Sequence, residues 1–484
     1  MKTLAKEGPG IMTGQSLADS SPPEAYRHIL CVYPYRSVIR QGVGWPPLGL
    51  EIIAAVLKPR AESIEVVDLR WERRHTPDLI RDDTDLVCFS VNWAHQPDAV
   101  RGEIRSVPPG ILTVVGGRHV TEEPDKWLSE CPNIDILVRG DGEEVVRAIA
   151  SGRPLEEIPG ISFRRGGEIV HNDARHCVPV TNGLYPRRGL RRYSYSLDFG
   201  GLKGRLFDTI ASSRGCPFNC RFCSFSMNPW GEKRSWSARS PESVVDEIEE
   251  MDADVVAFLD DIFTYDMARV ERICDLLIER GIKKRYLVNA RLEVAKHPNI
   301  IRKMERAGFS MLLLGVESAQ DKTLRAMRKG FDTRTVRESF RELRTSRMLL
   351  LGYFILGNIG ESEREMREMV PFARELGLDL LNLCVLRNET YSGLDEVIAG
   401  TPGYHTDPGP DRIIYSDTCS VERLRRLQRR LLMNFYTPGH VLHVLKKSLR
   451  NGLVTPGMLA RVPLWLLGKS LRRQVTAESA WGKG

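Results

Sequence analysis

The chain has 484 residues, 42% of them hydrophobic and 27% charged, with a net charge of +7 from 70 Lys and Arg against 63 Asp and Glu. That length suits two or three domains, and the composition excludes a low-complexity, fibrous or disulfide-stapled protein. The modest positive excess is no nucleic-acid signature, and with no apolar run of about 18 residues the sequence encodes no membrane-spanning helix.

Residues 1–23 are rich in Gly, Ser and Pro and lack the apolar stretch of a signal peptide, so they read as a flexible tail. Residues 24–160 alternate short apolar strands with helical stretches. Strands are expected at 28–32, 63–68, 85–90, 111–116 and 134–138, with a helix over 47–57. This alternation predicts an α/β open parallel sheet of the doubly wound type. Ligands bind such sheets at the carboxyl ends of the strands. The sequence places Ser90-Val91-Asn92, Gly116-Gly117-Arg118-His119 and Arg139-Gly140-Asp141-Gly142-Glu143 there. Glycines at strand ends allow close backbone approach to a ligand. Residues 161–205, with Arg187, Arg188, Arg191 and Arg192, read as a linker: either a solvated loop or a segment crossing between domains over the active site.

A second α/β pattern fills residues 206–390. Strands are expected at 208–212, 255–259, 285–289, 311–316, 349–356 and 380–384, with amphipathic helices such as 242–251 and 267–280 between them. Active sites of parallel barrels lie at the C-terminal strand ends. After the first of these strands, residues 214–225 read RGCPFNCRFCSF and set Cys216, Cys220 and Cys223 in the spacing C-x3-C-x2-C. Thiolates so spaced can turn onto one iron–sulfur cluster. Such a cluster normally takes four thiolates. No fourth is nearby, so one iron is left open for another ligand. A zinc site favours paired C-x2-C units, whereas Cys31, Cys88, Cys131, Cys177, Cys274, Cys384 and Cys419 are scattered singly and read as core thiols.

With Phe222 just before its last cysteine, the loop resembles that of the radical S-adenosylmethionine superfamily. PPLGL at 46–50, VVGGRHVT at 114–121 and VRGDGEE at 138–144, in that order ahead of the cysteines, look like the cobalamin-binding domain that precedes many such enzymes. The resemblance spans residues 25–440. It implies a partial (β/α)6 barrel and a [4Fe–4S] cluster on Cys216, Cys220 and Cys223 whose open iron chelates S-adenosylmethionine. It further implies that S-adenosylmethionine is cleaved to a 5′-deoxyadenosyl radical that abstracts hydrogen from carbon.

Phe222, Asp260, Asp261, Arg291, Glu317 and Asn358 are the implied S-adenosylmethionine contacts. Asp260-Asp261 stands where the family often has Gly-Gly-Glu, and a carboxylate accepts from an ammonium. Asp261 serves equally well as a helix N-cap. Arg291 either pairs with the cofactor's carboxylate or faces solvent. Glu317 resembles the Glu of a G-x-E-S element, and residues 354–361 resemble the G-x-P-G-E loop with Ile359 for its proline. Ser90, Asn92, Gly116, Gly117, Arg118 and Gly140 are the implied cobalamin contacts. The stretch 33–45 lacks the D-x-H-x-x-G His of many cobalamin domains, so cobalt is expected without a His ligand.

Within the family the chain most resembles the branch of the cobalamin-dependent radical methyltransferases and the anaerobic Mg-protoporphyrin ester oxidative cyclase. C-methylation of a small, hydrophobic substrate is the leading expectation. Oxidation of a tetrapyrrole or lipid begins with the same hydrogen abstraction. A non-catalytic cobalamin or redox sensor is the rival from another class, and the intact cysteines speak against it. The resemblance also implies an electron donor such as flavodoxin or ferredoxin and a reducing, cytoplasmic setting. Residues 391–484 read as a helical, basic extension, with Leu and Val interleaved at 441–445 and at 462–467 around Trp465. The preferred reading is a lid whose apolar side packs on the barrel, which is what points to a hydrophobic substrate. The alternative is peripheral contact with a membrane surface.

Overall fold

The structure is a computed structural model describing residues 25–36, 44–175, 177, 179–199, 202–224, 227–228 and 230–460. The expected tail and the apolar run around Trp465 lie outside the described residues. The chain divides into two compact units.

The first unit is built on strands β1 (Tyr26–Tyr33), β2 (Ala61–Asp68), β3 (Thr84–Ser90), β4 (Leu112–Gly116) and β5 (Ile136–Val138). They run parallel in the order β2-β1-β3-β4-β5. Ile29, Leu30, Cys31 and Val32 are all fully buried, so β1 is covered on both faces, as a central parallel strand must be. The strand order reverses at β1 and β3, which makes their carboxyl ends the switch point where such sheets take ligands. Register puts Tyr33 opposite Asp68, Ser90 opposite Gly116 and Gly116 opposite Val138, so these ends form one edge.

The stretch expected as a linker begins instead with two more strands of this sheet. β6 (Ile161–Arg165) and β7 (Glu168–His171) add antiparallel at the β5 edge. Gly166 and Gly167, at φ +57° and +89°, turn this hairpin. In that stretch Arg187 is exposed, but two of its other arginines are not solvated. Arg191 forks onto the buried Glu51 at 2.6 and 2.7 Å, and Arg192 reaches Glu65 and Glu72 at 2.6 and 2.9 Å.

The second unit opens with β8 (Ser196–Phe199), antiparallel to β9 (Leu202–Ile210). A short pair, β10 (Ser213–Arg214) and β11 (Ser237–Ala238), brackets the cysteine loop. Then follow β12 (Val255–Phe258), β13 (Arg285–Ala290), β14 (Phe309–Glu317), β15 (Leu349–Leu356) and β16 (Leu380–Val385). The order β9-β12-β13-β14-β15-β16 is sequential and parallel throughout, which is the expected six-strand partial barrel. Period-two alternation sorts the side chains. Val256, Phe258, Val288 and Leu312 join Val244, Val270, Ile273, Met304 and Phe340 of the surrounding helices in one core. Val255, Ala257, Leu287, Met311 and Leu349 line the other face.

The extension carries the hairpin β17 (Tyr404–Thr406) and β18 (Ile414–Ser416) and the helices Val421–Phe435, Pro438–Arg450 and Pro456–Ala460. Leu424, Leu427, Leu431 and Phe435 of the first of these helices enter the main core. The next helix packs at the amino ends of the strands. His440 binds the carbonyl of Asp379 at 2.8 Å, Lys447 reaches the Asp379 carboxylate at 2.6 Å, and Asn451 donates to the carbonyl of Ser310 at 3.1 Å. Apolar packing on the barrel is thus present, but helix Pro438–Arg450 is a floor at the end opposite the cysteine loop. It does not cover the mouth, so it gives no support to a hydrophobic substrate. Among the described residues no helix is long and apolar enough to cross a membrane.

Candidate functional site

The cysteine loop follows β9 and is fixed by packing. Gly215 stands at φ +84°, and a Cβ there would lie 2.5 Å from the carbonyl oxygen of Ser235; only glycine fits. Its N–H donates to the Asp261 carboxylate at 3.0 Å. Lys233 donates to the carbonyl of Pro217 at 2.8 Å, and the N–H of Arg221 donates to the carbonyl of Met327 at 3.0 Å. Cys216, Cys220 and Cys223 are half-buried thiols with no disulfide. Burial pushes the Cys216 thiol up, opposed by a hydrogen bond from the Phe218 backbone and by Arg291. Among the described residues no three His, Cys, Asp or Glu side chains converge on a single metal ion. Cluster thiolates attach to separate irons, and this donor set of three partly accessible thiols on one rigid loop fits a cluster with an open iron.

The strand-end residues divide into two groups. Asp260 is fully buried and accepts from the Ser212 N–H and hydroxyl at 2.7 and 2.6 Å and from the Ser213 hydroxyl at 2.6 Å. Burial pushes its carboxyl up against those hydrogen bonds. It ties the stem of the loop and has no oxygen turned outward, contrary to its expected cofactor contact. Asp261 is exposed, and the following helix is capped by Asp266, so the N-cap alternative for Asp261 does not hold. Arg291 neither faces solvent nor stands open for a carboxylate. Its guanidinium lies 3.6 Å from the centre of the Phe218 ring and donates to the Lys329 carbonyl at 2.9 Å and to Glu293. Asn358 is spent on a turn, donating to the carbonyl of Ile355 at 2.7 Å and to Glu361 at 3.2 Å.

Glu317 ends β14 at φ +70°, a left-handed conformation that costs a residue with a side chain about 1 kcal/mol or more and clusters at functional sites. Its carboxylate accepts from the buried Lys329 at 3.1 Å. A Cβ on Gly315 would meet that carboxylate at 2.5 Å, so glycine makes room for the pair. Lys329 also lies 5.7 Å from the ring centre of Phe222, which is half-buried against Ile355 and Leu386. Sequence reasoning missed Lys329 and Phe218: a lysine in Arg328-Lys329-Gly330 reads as a solvated turn, and only the fold makes it a buried cation.

Glu361 is buried next to Ser318, accepting from the N–H groups of Gly357 and Asn358, each at 3.1 Å. Burial pushes its carboxyl up from 4.5 to about 7. The native state therefore keeps a proton that the unfolded chain has lost. This stabilisation is complete below about pH 4.5 and disappears as pH rises through about 7, a swing of about 3 kcal/mol. Glu361→Gln is expected to flatten that part of the stability profile. Urea unfolding at several pH values measures it, and an unchanged slope would refute the assignment.

In the first unit the carboxyl edge brings the six expected residues together. Asn92 donates to the Ser90 hydroxyl at 3.0 Å and accepts from the Arg118 N–H at 3.2 Å. Gly116 and Gly117 lie between them in sequence, and the N–H of Gly140 donates to the Thr121 hydroxyl at 3.2 Å. His119, half-buried, packs edge-on to Trp127 at 5.6 Å, and burial pushes its pKa down. The glycines at 116, 117 and 140 and the short side chains of Ser90 and Asn92 leave room at this edge for close approach of a ligand.

Residues 210–373 match the Radical SAM superfamily, and residues 38–150 match the B12 binding domain. An uncharacterised methyltransferase of Pyrococcus horikoshii is 27% identical over 86% of this chain and 93% of its own length. The anaerobic magnesium-protoporphyrin IX monomethyl ester cyclase of Cereibacter sphaeroides is 30% identical over 70% of this chain, which spans 58% of that protein. The hopanoid C-3 methylase of Methylococcus capsulatus is 27% identical over 62% of this chain and 59% of its own length. In fold, the radical S-adenosylmethionine methyltransferase TsrM of Kitasatospora setae, solved with cobalamin and a [4Fe–4S] cluster, superposes with a TM-score of 0.67 at 17% identity, covering 85% of this chain and 89% of that one.

Residues 210–373 thus carry a radical SAM domain, downstream of a B12 binding domain at residues 38–150. The two domains imply three cofactors: a [4Fe–4S] cluster, S-adenosylmethionine and cobalamin.

Proposed function

We propose that this enzyme transfers a methyl group to a carbon of a small organic substrate by cobalamin-dependent radical chemistry. The observation that carries the reading is the rigid three-cysteine loop on a partial barrel, in one chain with a B12 binding domain. When bound, S-adenosylmethionine and the reduced cluster supply a hydrogen-abstracting radical, and cobalamin supplies the methyl group. Cys216, Cys220 and Cys223 hold the cluster. Asp261, exposed beside the Gly215 N–H, receives the ammonium of S-adenosylmethionine. Phe222 and the Glu317–Lys329 pair border the same cofactor. Ser90, Asn92, Gly116, Gly117, Arg118 and Gly140 border cobalamin. Asp260, Arg291 and Asn358 act as positioning residues behind these. A flavodoxin- or ferredoxin-like donor and a reducing, cytosolic setting complete the reading.

The methyltransferase relatives support methyl transfer, and the cyclase likeness supports oxidation as a second reading. Turnover of reduced, reconstituted protein with methyl-labelled S-adenosylmethionine in oxygen-labelled water, over a metabolite extract, separates the two. We expect label from the methyl group in product together with released 5′-deoxyadenosine. Solvent oxygen in product instead would replace methylation by oxidation, methyl label without 5′-deoxyadenosine would remove the radical step, and neither labelled product nor 5′-deoxyadenosine would leave only a sensor.

A further inference from the structure

The extension has a face that the radical chemistry does not use. From Arg423 to Ala477 the sequence holds twelve Lys and Arg and no Asp or Glu. Three of these cations are paired: Arg423 with Glu363, Arg425 with Asp411 and Lys447 with Asp379. Arg426, Arg429, Arg430, Lys446 and Arg450 are exposed; Arg426 lies near Glu422 one turn earlier, and the other four form no ion pair among the described residues. An excess of exposed cations on one face is stabilised by an anionic partner.

Exposed aliphatic side chains stand among them. Met433 is 72% exposed, Val441 42% and Leu442 52%. They flank the corner between helices Val421–Phe435 and Pro438–Arg450. Helical periodicity explains the arrangement. Leu424, Leu427, Leu431 and Phe435 enter the core, which leaves Arg426, Arg429, Arg430 and Met433 on the opposite face. On the second helix His440 and Lys447 bind Asp379, while Val441, Leu442, Lys446 and Arg450 face outward. Packing on the barrel and binding elsewhere are therefore properties of two sides of the same helices.

We infer that the outer face of these two helices binds the surface of an anionic lipid bilayer. Interfacial helices combine a cationic face with aliphatic residues that enter the headgroup boundary, and each Lys or Arg near an anionic leaflet strengthens the attraction. A single-stranded nucleic acid would call for aromatic rings on which bases stack, and a duplex would leave the exposed aliphatic residues without a role. The exposed apolar residues of this face are aliphatic, and the nearby Tyr436 is occupied by the backbone of Leu381 at 2.9 Å.

The test uses the full, reconstituted chain and vesicles of phosphatidylcholine with or without phosphatidylglycerol, separated by flotation. The wild type is expected to float with the anionic vesicles only, and to be released as salt rises. The triple variant R426E/R430E/K446E, and separately Val441→Ser with Leu442→Ser, should each weaken flotation at least about tenfold. Both should keep wild-type thermal unfolding and 5′-deoxyadenosine formation in lipid-free buffer. Undiminished flotation of both variants would overturn the proposal. So would loss of binding on Trp465→Ser alone, or a self-association that Leu442→Ser dissolves without any vesicle binding.

Discussion

Alanine at Cys216, Cys220 or Cys223 is expected to reduce 5′-deoxyadenosine formation to background, while Cys88→Ala and Cys274→Ala leave it intact. The three loop thiols are half-buried and reachable, whereas Cys88 is 3% exposed and Cys274 fully buried. Burial pushes the Cys274 thiol up to about 12, which makes it an inert core group rather than a thiolate donor. Its truncation removes a small buried volume and costs about 1 kcal/mol of stability. The loop variants should fold. Gly215, Asp261, Lys233 and Asp260 set the loop's path through backbone and carboxylate contacts that do not involve sulfur. Iron and sulfide content, thermal unfolding and 5′-deoxyadenosine release together measure this. A Cys223→Ala protein that still cleaves S-adenosylmethionine would sink the cluster assignment.

The strands of both units were legible because buried parallel strands are short continuous apolar runs bounded by polar turns, as in 349–356 and 380–384. The hairpin β6–β7 was not legible. Its strands are short, and Arg164, Arg165 and Glu168 interrupt the apolar pattern that an edge strand needs only on one side. The cysteine spacing was legible because ligand geometry is local. Asp260 and Arg291 were assigned by position at strand ends, and position alone does not tell a side chain that reaches a ligand from one that braces the loop. That distinction depends on partners far away in sequence: Ser212 and Ser213 for Asp260, and Phe218 for Arg291. Basic and apolar interleaving beyond residue 421 was visible, but not that the apolar side would meet the amino ends of the strands.

Gly117→Val is expected to lower cobalamin retention more than tenfold while leaving S-adenosylmethionine cleavage in place. Gly117 stands at φ +117°, and a Cβ there would fall 2.5, 2.7 and 2.8 Å from the O, C and N atoms of Val91. Strain at such a φ costs about 1–3 kcal/mol, and forced overpacking against backbone adds about 1–3 kcal/mol. Val91 is the joint between the ends of β3 and β4. Its N–H donates to the Gly116 carbonyl at 2.8 Å, and its carbonyl accepts from the His119 N–H at 3.1 Å. A side chain at 117 therefore pries apart the strand ends that carry Ser90, Asn92 and Arg118. Gly110→Ala is the matched control. Its φ of +90° is similarly strained, but nothing lies within 4 Å of the added Cβ, so it should lose some stability and keep cobalamin. Retention after reconstitution and the absorption spectrum of bound cobalamin read the first unit, and 5′-deoxyadenosine release reads the second. Loss of both readouts in Gly117→Val would mean global misfolding. Equal cobalamin loss in the two variants would mean that strain alone, and not the joint at Val91, sets the edge. Wild-type protein that retains no cobalamin would remove methyl transfer from the reading and leave the radical chemistry standing.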